Sequence, residues 1–181
     1  MSAKEKILLA YEDILIHQGE KAASLDAVAK AAQVSKGGLL YHFPSKEALA
    51  TGLVERTLRL AEQDLAAMAA APEGPVNYYL EGSLFKNTEF DRALLASSRL
   101  AQEANQLASA AMIRIQDGWQ QLITSQIGDK NIARAIVLMG DGSYYNAAFM
   151  RLADPALQQE RDNKDRQILR QVTAILTAKK A

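Results

Sequence analysis

The sequence has no cysteine, which excludes a disulfide framework, a thiol nucleophile and cysteine-ligated zinc together. Its two histidines, His17 and His42, lie far apart. There is neither a phosphate-binding glycine loop nor a pair of acids at a working spacing, so no catalytic residue, metal ligand set or cofactor is expected. No apolar run approaches the roughly 20 residues that span a bilayer, so no membrane partner is expected. The opening MSAKEKILLAYEDIL carries acids that a signal peptide avoids, and the expectation is an unprocessed cytoplasmic protein. Strand-like alternation and internal repeats are missing too. Excess charge of one sign is also absent. Lys+Arg and Asp+Glu both number 21, so a nucleic-acid partner has to be argued from local charge.

What is present is helix, in a chain of 181 residues, long enough to bury a core without metal or disulfide support. Ile7, Tyr11, Ile14, Leu15 and Gln18 share one face at three- and four-residue spacing, with Gly19 as a stop. Ser24 is a natural cap for a short second helix, Leu25 to Ala32, with Leu25, Val28, Ala29 and Ala32 as its apolar stripe. After a turn at Gln33-Val34, Ser35 caps a third helix to about Phe43; Pro44 ends it and Ser45 caps a long fourth helix. "APEGP", 71–75, is the clearest break. Further helices are predicted over 76–87, 91–106, 109–127, 130–153 and 156–178. The fold class is all-α.

Two short helices joined by a tight turn after a longer helix have the geometry of a helix-turn-helix. At about 100° per residue, Leu39 and Phe43 share the inward face of the third helix. Gly37, Gly38 and Tyr41 point outward, flanked by Lys36, Leu40 and His42. Two outward glycines remove bulk and allow a close approach of the backbone to another surface. Ser35, Lys36 and Gly37 also open a helix, where free N–H groups favour anions. Residues 1–50 hold six lysines against six acids, yet no acid lies between Asp26 and Glu47, where Lys30, Lys36 and Lys46 stand. That local excess of base suits the phosphate contacts that dominate duplex affinity. An ordinary loop at Gly37-Gly38 and a surface turn at Tyr41-His42 are the alternative reading.

The stretch SLDAVAKAAQVSKGGLLYHFPSKEALATGLV, Ser24 to Val54, resembles the N-terminal domain of the TetR family of bacterial transcriptional regulators. The shared features are the Ser opening the second helix, the Val28-Ala29 pair, "VS-x-G" at Val34 to Gly37 and "HF-x-x-K" at His42 to Lys46. The resemblance implies a three-helix DNA-binding domain over 1–46 and a helical bundle for ligand binding and dimerisation over 47–181. It implies that Lys36 and Gly37 face bases or nearby backbone, and that Ser24, Tyr41, His42 and Lys46 hold phosphates. Ser35, Gly38 and Leu40 complete the expected DNA-binding set. Leu40 stands where an aromatic is common, and Gln33 where the turn often has Gly. A positive φ at Gln33 would cost about 1 kcal/mol, the alternative being a turn of another shape. The third helix lacks Arg, Asn and Gln, so part of the specificity is expected from DNA shape.

The resemblance further implies a homodimer on a near-palindromic operator. Ala133, Ile136, Val137, Gly140, Tyr144 and Ala148 align on one face, and Ile168, Val172, Ile175 and Leu176 form a stripe on the last helix. The resemblance places both stripes in the dimer interface; periodicity alone allows each to be its own subunit's core. A small-molecule effector is implied as well, acting by a population shift through the fourth helix. Ser98, Asn105, Trp119, Asp141 and Tyr145 are the expected ligand residues. Asp141 either neutralises a cationic ligand or bonds across the interface. The function expected is that of an effector-released repressor, with an effector-independent DNA-binding protein of chromosome organisation or division as the alternative.

Overall fold

The computed structural model describes residues 1–150 and 155–178. Among these are nine α-helices and no strand: α1 (Ala3–Gln18), α2 (Leu25–Ala31), α3 (Lys36–His42), α4 (Lys46–Ala70), α5 (Gly74–Gly82), α6 (Glu89–Gln102), α7 (Gln106–Ile127), α8 (Lys130–Phe149) and α9 (Pro155–Ala178). A short 3-10 turn, Glu20–Ala22, that the sequence did not announce separates α1 from α2. The fifth helix starts two residues before its predicted position, because Pro75 is tolerated in a first turn, and it stops at Gly82. The sixth starts at Glu89, behind a capping box in which Thr88 and Asp91 satisfy each other's backbone N–H. The end predicted for the eighth helix, 153, lies outside the described residues. Among the described residues no helix is long and apolar enough to cross a membrane.

The chain divides into two compact units, one formed by 1–62 with 87–115 and the other by 63–86 with the described residues from Gln116 onward. In the first, α1 packs against α2, α3 and α6. Ile7, Tyr11, Leu15, Val28, Leu39, Phe43, Leu49 and Leu53 form its core with Ala96 and Leu100 of α6. Gly52 lets the Phe43 ring lie on the α4 backbone: a Cβ there would stand 2.6 Å from Phe43 Cε1. The core also encloses charge. Arg56 Nε donates to Glu12 Oε1 at 2.9 Å and Arg56 Nη2 to Glu89 Oε2 at 3.3 Å, tying α1, α4 and α6. Beside it, Thr57 Oγ1 lies 2.8 Å from Ser97 Oγ.

In the second unit α9 packs on α8 and α5. Met68, Tyr79, Leu80, Trp119, Ile123, Ala133, Ile136, Val137, Tyr144 and Leu169 are buried. Ala133, Ile136, Val137, Gly140 and Tyr144 are buried by their own chain, as the core alternative for this stripe has it. Gly140 shows the reason most clearly. A Cβ there would lie 2.4 Å from Tyr79 Cε1 and 2.5 Å from Ser83 Oγ, so the small residue serves close packing of α8 on α5. Ala148 is half-buried. On α9, Ile168 and Ile175 are exposed and Val172 is half-buried, and on α8 the exposed apolar residues are Leu138 and Phe149.

Candidate nucleic-acid interface

Three serines set the geometry of the helix-turn-helix. Ser24 Oγ accepts the Ala27 N–H at 3.2 Å, Ser35 Oγ the Gly38 N–H at 3.0 Å and Ser45 Oγ the Ala48 N–H at 3.2 Å, so α2, α3 and α4 each begin where a side chain satisfies a free donor. Between α2 and α3 the chain reverses at Gln33, which takes a left-handed φ of 56°. The Val34 N–H reaches back to the Ala29 carbonyl at 3.0 Å and the Gln33 N–H to that of Lys30 at 3.2 Å, the pair of bonds of a Schellman cap. The turn therefore keeps the glycine-type shape without glycine.

Leu39 and Phe43 bury the inward face of α3, and this fixes what points out. Tyr41 is 85% exposed, and its ring meets that of half-buried His42 edge-on at 5.1 Å. Leu40 is exposed. The two glycines differ, contrary to the symmetric expectation. A Cβ at Gly37 would meet nothing within 4 Å, whereas one at Gly38 would stand 3.2 Å from Ser35 Oγ. Gly37 leaves the outer surface bare, and Gly38 leaves room for the cap.

The lysines have partners that the sequence spacing does not show. The stretch between Asp26 and Glu47 is free of acid only along the chain. In space Lys36 Nζ lies 3.0 Å from Asp26 Oδ1 and 3.1 Å from Asp26 Oδ2. Lys46 Nζ lies 2.5 Å from Glu20 Oε1 and donates to the Glu20 carbonyl at 3.0 Å. Both lysines expected at DNA thus carry an acid of the same chain. The pair is not legible from spacing, because Asp26 and Lys36 are ten residues apart in the first turns of two different helices.

The expected ligand residues separate into two groups. Ser98 and Asn105 lie in the first unit and serve their own backbone: Ser98 Oγ donates to the Leu95 carbonyl at 2.7 Å, and Asn105 Oδ1 accepts the Ala108 N–H at the start of α7. Trp119, Asp141 and Tyr145 lie in the second unit. The Tyr79 ring is 5.6 Å from that of Trp119, and its hydroxyl donates to the Val137 carbonyl at 2.9 Å and approaches Asp141 Oδ1 at 3.4 Å. Gln116 Nε2 donates to Asp141 Oδ2 at 2.6 Å. Burial pushes the Asp141 carboxyl up to about 6, against the hydrogen bond from Tyr79, the charge of Arg134 and the hydrogen bond from Gln116. Trp119 Nε1 and the Tyr78 hydroxyl both donate to Asp64, at 2.9 and 3.1 Å, and burial with the Asp64 charge pushes the Tyr78 phenol up to about 12. Tyr145 stacks on Phe149 with centroids 5.6 Å apart. Both Asp141 oxygens are thus engaged within the chain. Among the described residues no group of three or more acids and histidines is placed to hold a metal ion.

Residues 7–53 match the family described as bacterial regulatory proteins, tetR family. Solved structures share the fold along almost the whole chain. A Rhodococcus sp. protein assigned to the TetR-family transcriptional regulators superposes with a TM-score of 0.71 at 18% identity, over 97% of this chain and 98% of that one. GusR of Salmonella enterica gives 0.66 at 19% identity, over 97% and 95%. The multidrug binding protein EbrR in complex with malachite green gives 0.65 at 19% identity, over 93% and 96%. With the capped helix-turn-helix inside the matched segment, the N-terminal part of the chain is similar to the tetR family of bacterial regulatory proteins, and the chain as a whole shares the fold of solved structures assigned to it.

Proposed function

We propose that this chain is a TetR-family transcriptional repressor rather than an enzyme, binding a near-palindromic operator as a homodimer and released by a small-molecule effector. The observation that carries the reading is the outer face of α3. Leu39 and Phe43 anchor the helix, and the bare Gly37 and exposed Tyr41 then stand outward beside Leu40, Lys36 and His42. Such a helix presents backbone and a phenol to a groove while its core face stays fixed. Residues 1–46 form the DNA-contacting part, in which Lys36 and Gly37 face bases and Tyr41, His42 and the Ser24 end of α2 take phosphates. Residues 47–181 carry dimerisation and effector binding. Exposed Ile168 and Ile175 of α9, with Leu138 and Phe149 of α8, are apolar surface suited to a second copy. Trp119, Asp141 and Tyr145 are the effector candidates, and the malachite green complex of EbrR supports an organic ligand of that size for a fold of this kind.

Selection of random duplexes by the purified chain at near-physiological salt tests the reading, with Lys36→Ala and Tyr41→Ala as controls. An inverted repeat recovered by the wild type and lost by both controls supports it. Recovery of no motif by a folded wild type overturns it.

A further inference from the structure

Lys36 and Asp26 are the first-turn residues of α3 and α2, paired through both carboxylate oxygens at 3.0 and 3.1 Å. Their side chains are 58% and 71% exposed, a setting in which an ion pair adds little to folding. Asp26 is neither capping nor core: Ser24 already satisfies the α2 N-terminus. The carboxylate is held at the ammonium of Lys36, a residue proposed to face DNA, and a polyanion repels it there.

We infer that Asp26 is a specificity-determining residue that withholds Lys36 from DNA phosphates while leaving it free to read a base. The inference rests on the DNA-binding reading above. An ammonium has three N–H donors, and two of them satisfy the Asp26 oxygens. The third is free for a base acceptor such as guanine O6 or N7, and that contact keeps the carboxylate at a distance from the backbone. Moving Lys36 onto a phosphate either breaks the pair or brings two anions together. Arbitrary DNA, which is held by phosphate contacts alone, therefore gains nothing from Lys36. Lys46 is likewise occupied by Glu20 and its carbonyl.

The test is a salt titration of binding to a mixed-sequence duplex and to the duplex recovered by selection, for wild type, Asp26→Asn, Asp26→Glu, Lys36→Ala and the double variant Asp26→Asn with Lys36→Ala. Thermal unfolding of each is recorded alongside. Asp26→Asn is expected to tighten the mixed-sequence duplex about tenfold at low salt and to steepen its log K against log salt slope by about 0.9, one added phosphate contact. The recovered duplex tightens by about twofold at most, so discrimination falls. Asp26→Glu keeps the wild-type slope, and the double variant keeps the slope of Lys36→Ala. An equal steepening with and without Lys36 overturns the inference, because Asp26 then acts as a general repulsive charge. No change of slope in either background overturns it too. A wild type that binds neither duplex at low salt overturns the DNA-binding reading, and this inference with it.

Discussion

Arg56 of α4 reaches Glu12 of α1 at 2.9 Å inside the core of the first unit, where Glu12 has no exposed surface and its second oxygen, Oε2, has no hydrogen-bond partner. Burial pushes the Glu12 carboxyl up, and the charge and hydrogen bond of Arg56 pull it back down. Breaking one side leaves a buried charge, so Arg56→Ala should cost about 3–5 kcal/mol in urea unfolding at neutral pH. Replacing both with apolar residues of similar volume should cost far less. A carboxyl with a raised folded-state value binds its proton more readily in the native state, so the Arg56→Ala deficit should shrink as pH falls. A deficit that is the same at every pH would show that Glu12 is not the group left stranded.

Gln33 and Ala104 take φ of 56° and 61° just past the ends of α2 and α6. A Cβ is crowded there and glycine is not. Gln33→Gly and Ala104→Gly should each raise stability by about 0.5–1 kcal/mol, seen as a higher urea midpoint at unchanged slope. Loss of stability in both would mean that the turns owe more to side-chain contacts than to backbone shape.

Tyr41 and Leu39 are two residues apart on α3 and should separate function from folding. Tyr41→Ala, at an exposed site, should leave stability within about 0.5 kcal/mol of wild type and weaken operator binding about tenfold, the loss of one hydrogen bond to a charged group. Leu39→Ala opens the core and should cost about 2–5 kcal/mol. Isothermal binding and thermal unfolding on the same samples read both quantities. Operator affinity untouched by Tyr41→Ala would remove the phenol from the interface.

What could be read along the chain was whatever depends on neighbours a few residues away. The caps at Ser24, Ser35 and Ser45, the stop at Gly19 and the inward turn of Leu39 and Phe43 all follow from helix geometry within one or two turns. Pairings across helices were not legible. Asp26 and Glu20 meet the two lysines only after α2 and α3 have folded back on each other, and Glu12 is buried because Arg56, 44 residues on, arrives to meet it. The α8 stripe illustrates the limit of periodicity. Ala133, Ile136, Val137 and Gly140 fall on one face by spacing and are buried together, but whether such a stripe meets its own chain or another depends on where α5 lies. Ser98 and Asn105, polar beside apolar residues, turned out to serve local backbone groups.

Asp141 gives a pH signature in the opposite sense from a salt-bridged acid. Its carboxyl is raised from 3.8 to about 6 in the folded chain. The native state therefore holds the proton over that window more tightly than the unfolded chain, and stability falls as pH rises through it. Asp141→Asn should be more stable than wild type by about 1–2 kcal/mol above the window, the shift being discounted for partial exposure, and equal to it near about pH 4. Unfolding midpoints across pH would show the two curves converge on acidification. Parallel curves would mean that another group carries the titration.

The outward face of α9 gives the sharpest test of assembly. Ile175 is 60% exposed and Ile168 is exposed seven residues before it, two turns along the same face. A glutamate at either position meets water in a monomer and an apolar partner in a dimer, where an unpaired charge costs several kcal/mol. Ile175→Glu should therefore sediment as a folded monomer with unchanged helicity. A half-site bound by one helix-turn-helix holds far less affinity than two linked half-sites, so operator binding should collapse in parallel. Gly140→Glu should behave differently, because the added side chain strikes Tyr79 and Ser83 and should unfold the second unit rather than split a dimer. If Ile175→Glu stays dimeric and keeps its operator affinity, α9 lies outside the interface, and the apolar residues Leu138 and Phe149 of α8 become the surface to charge next.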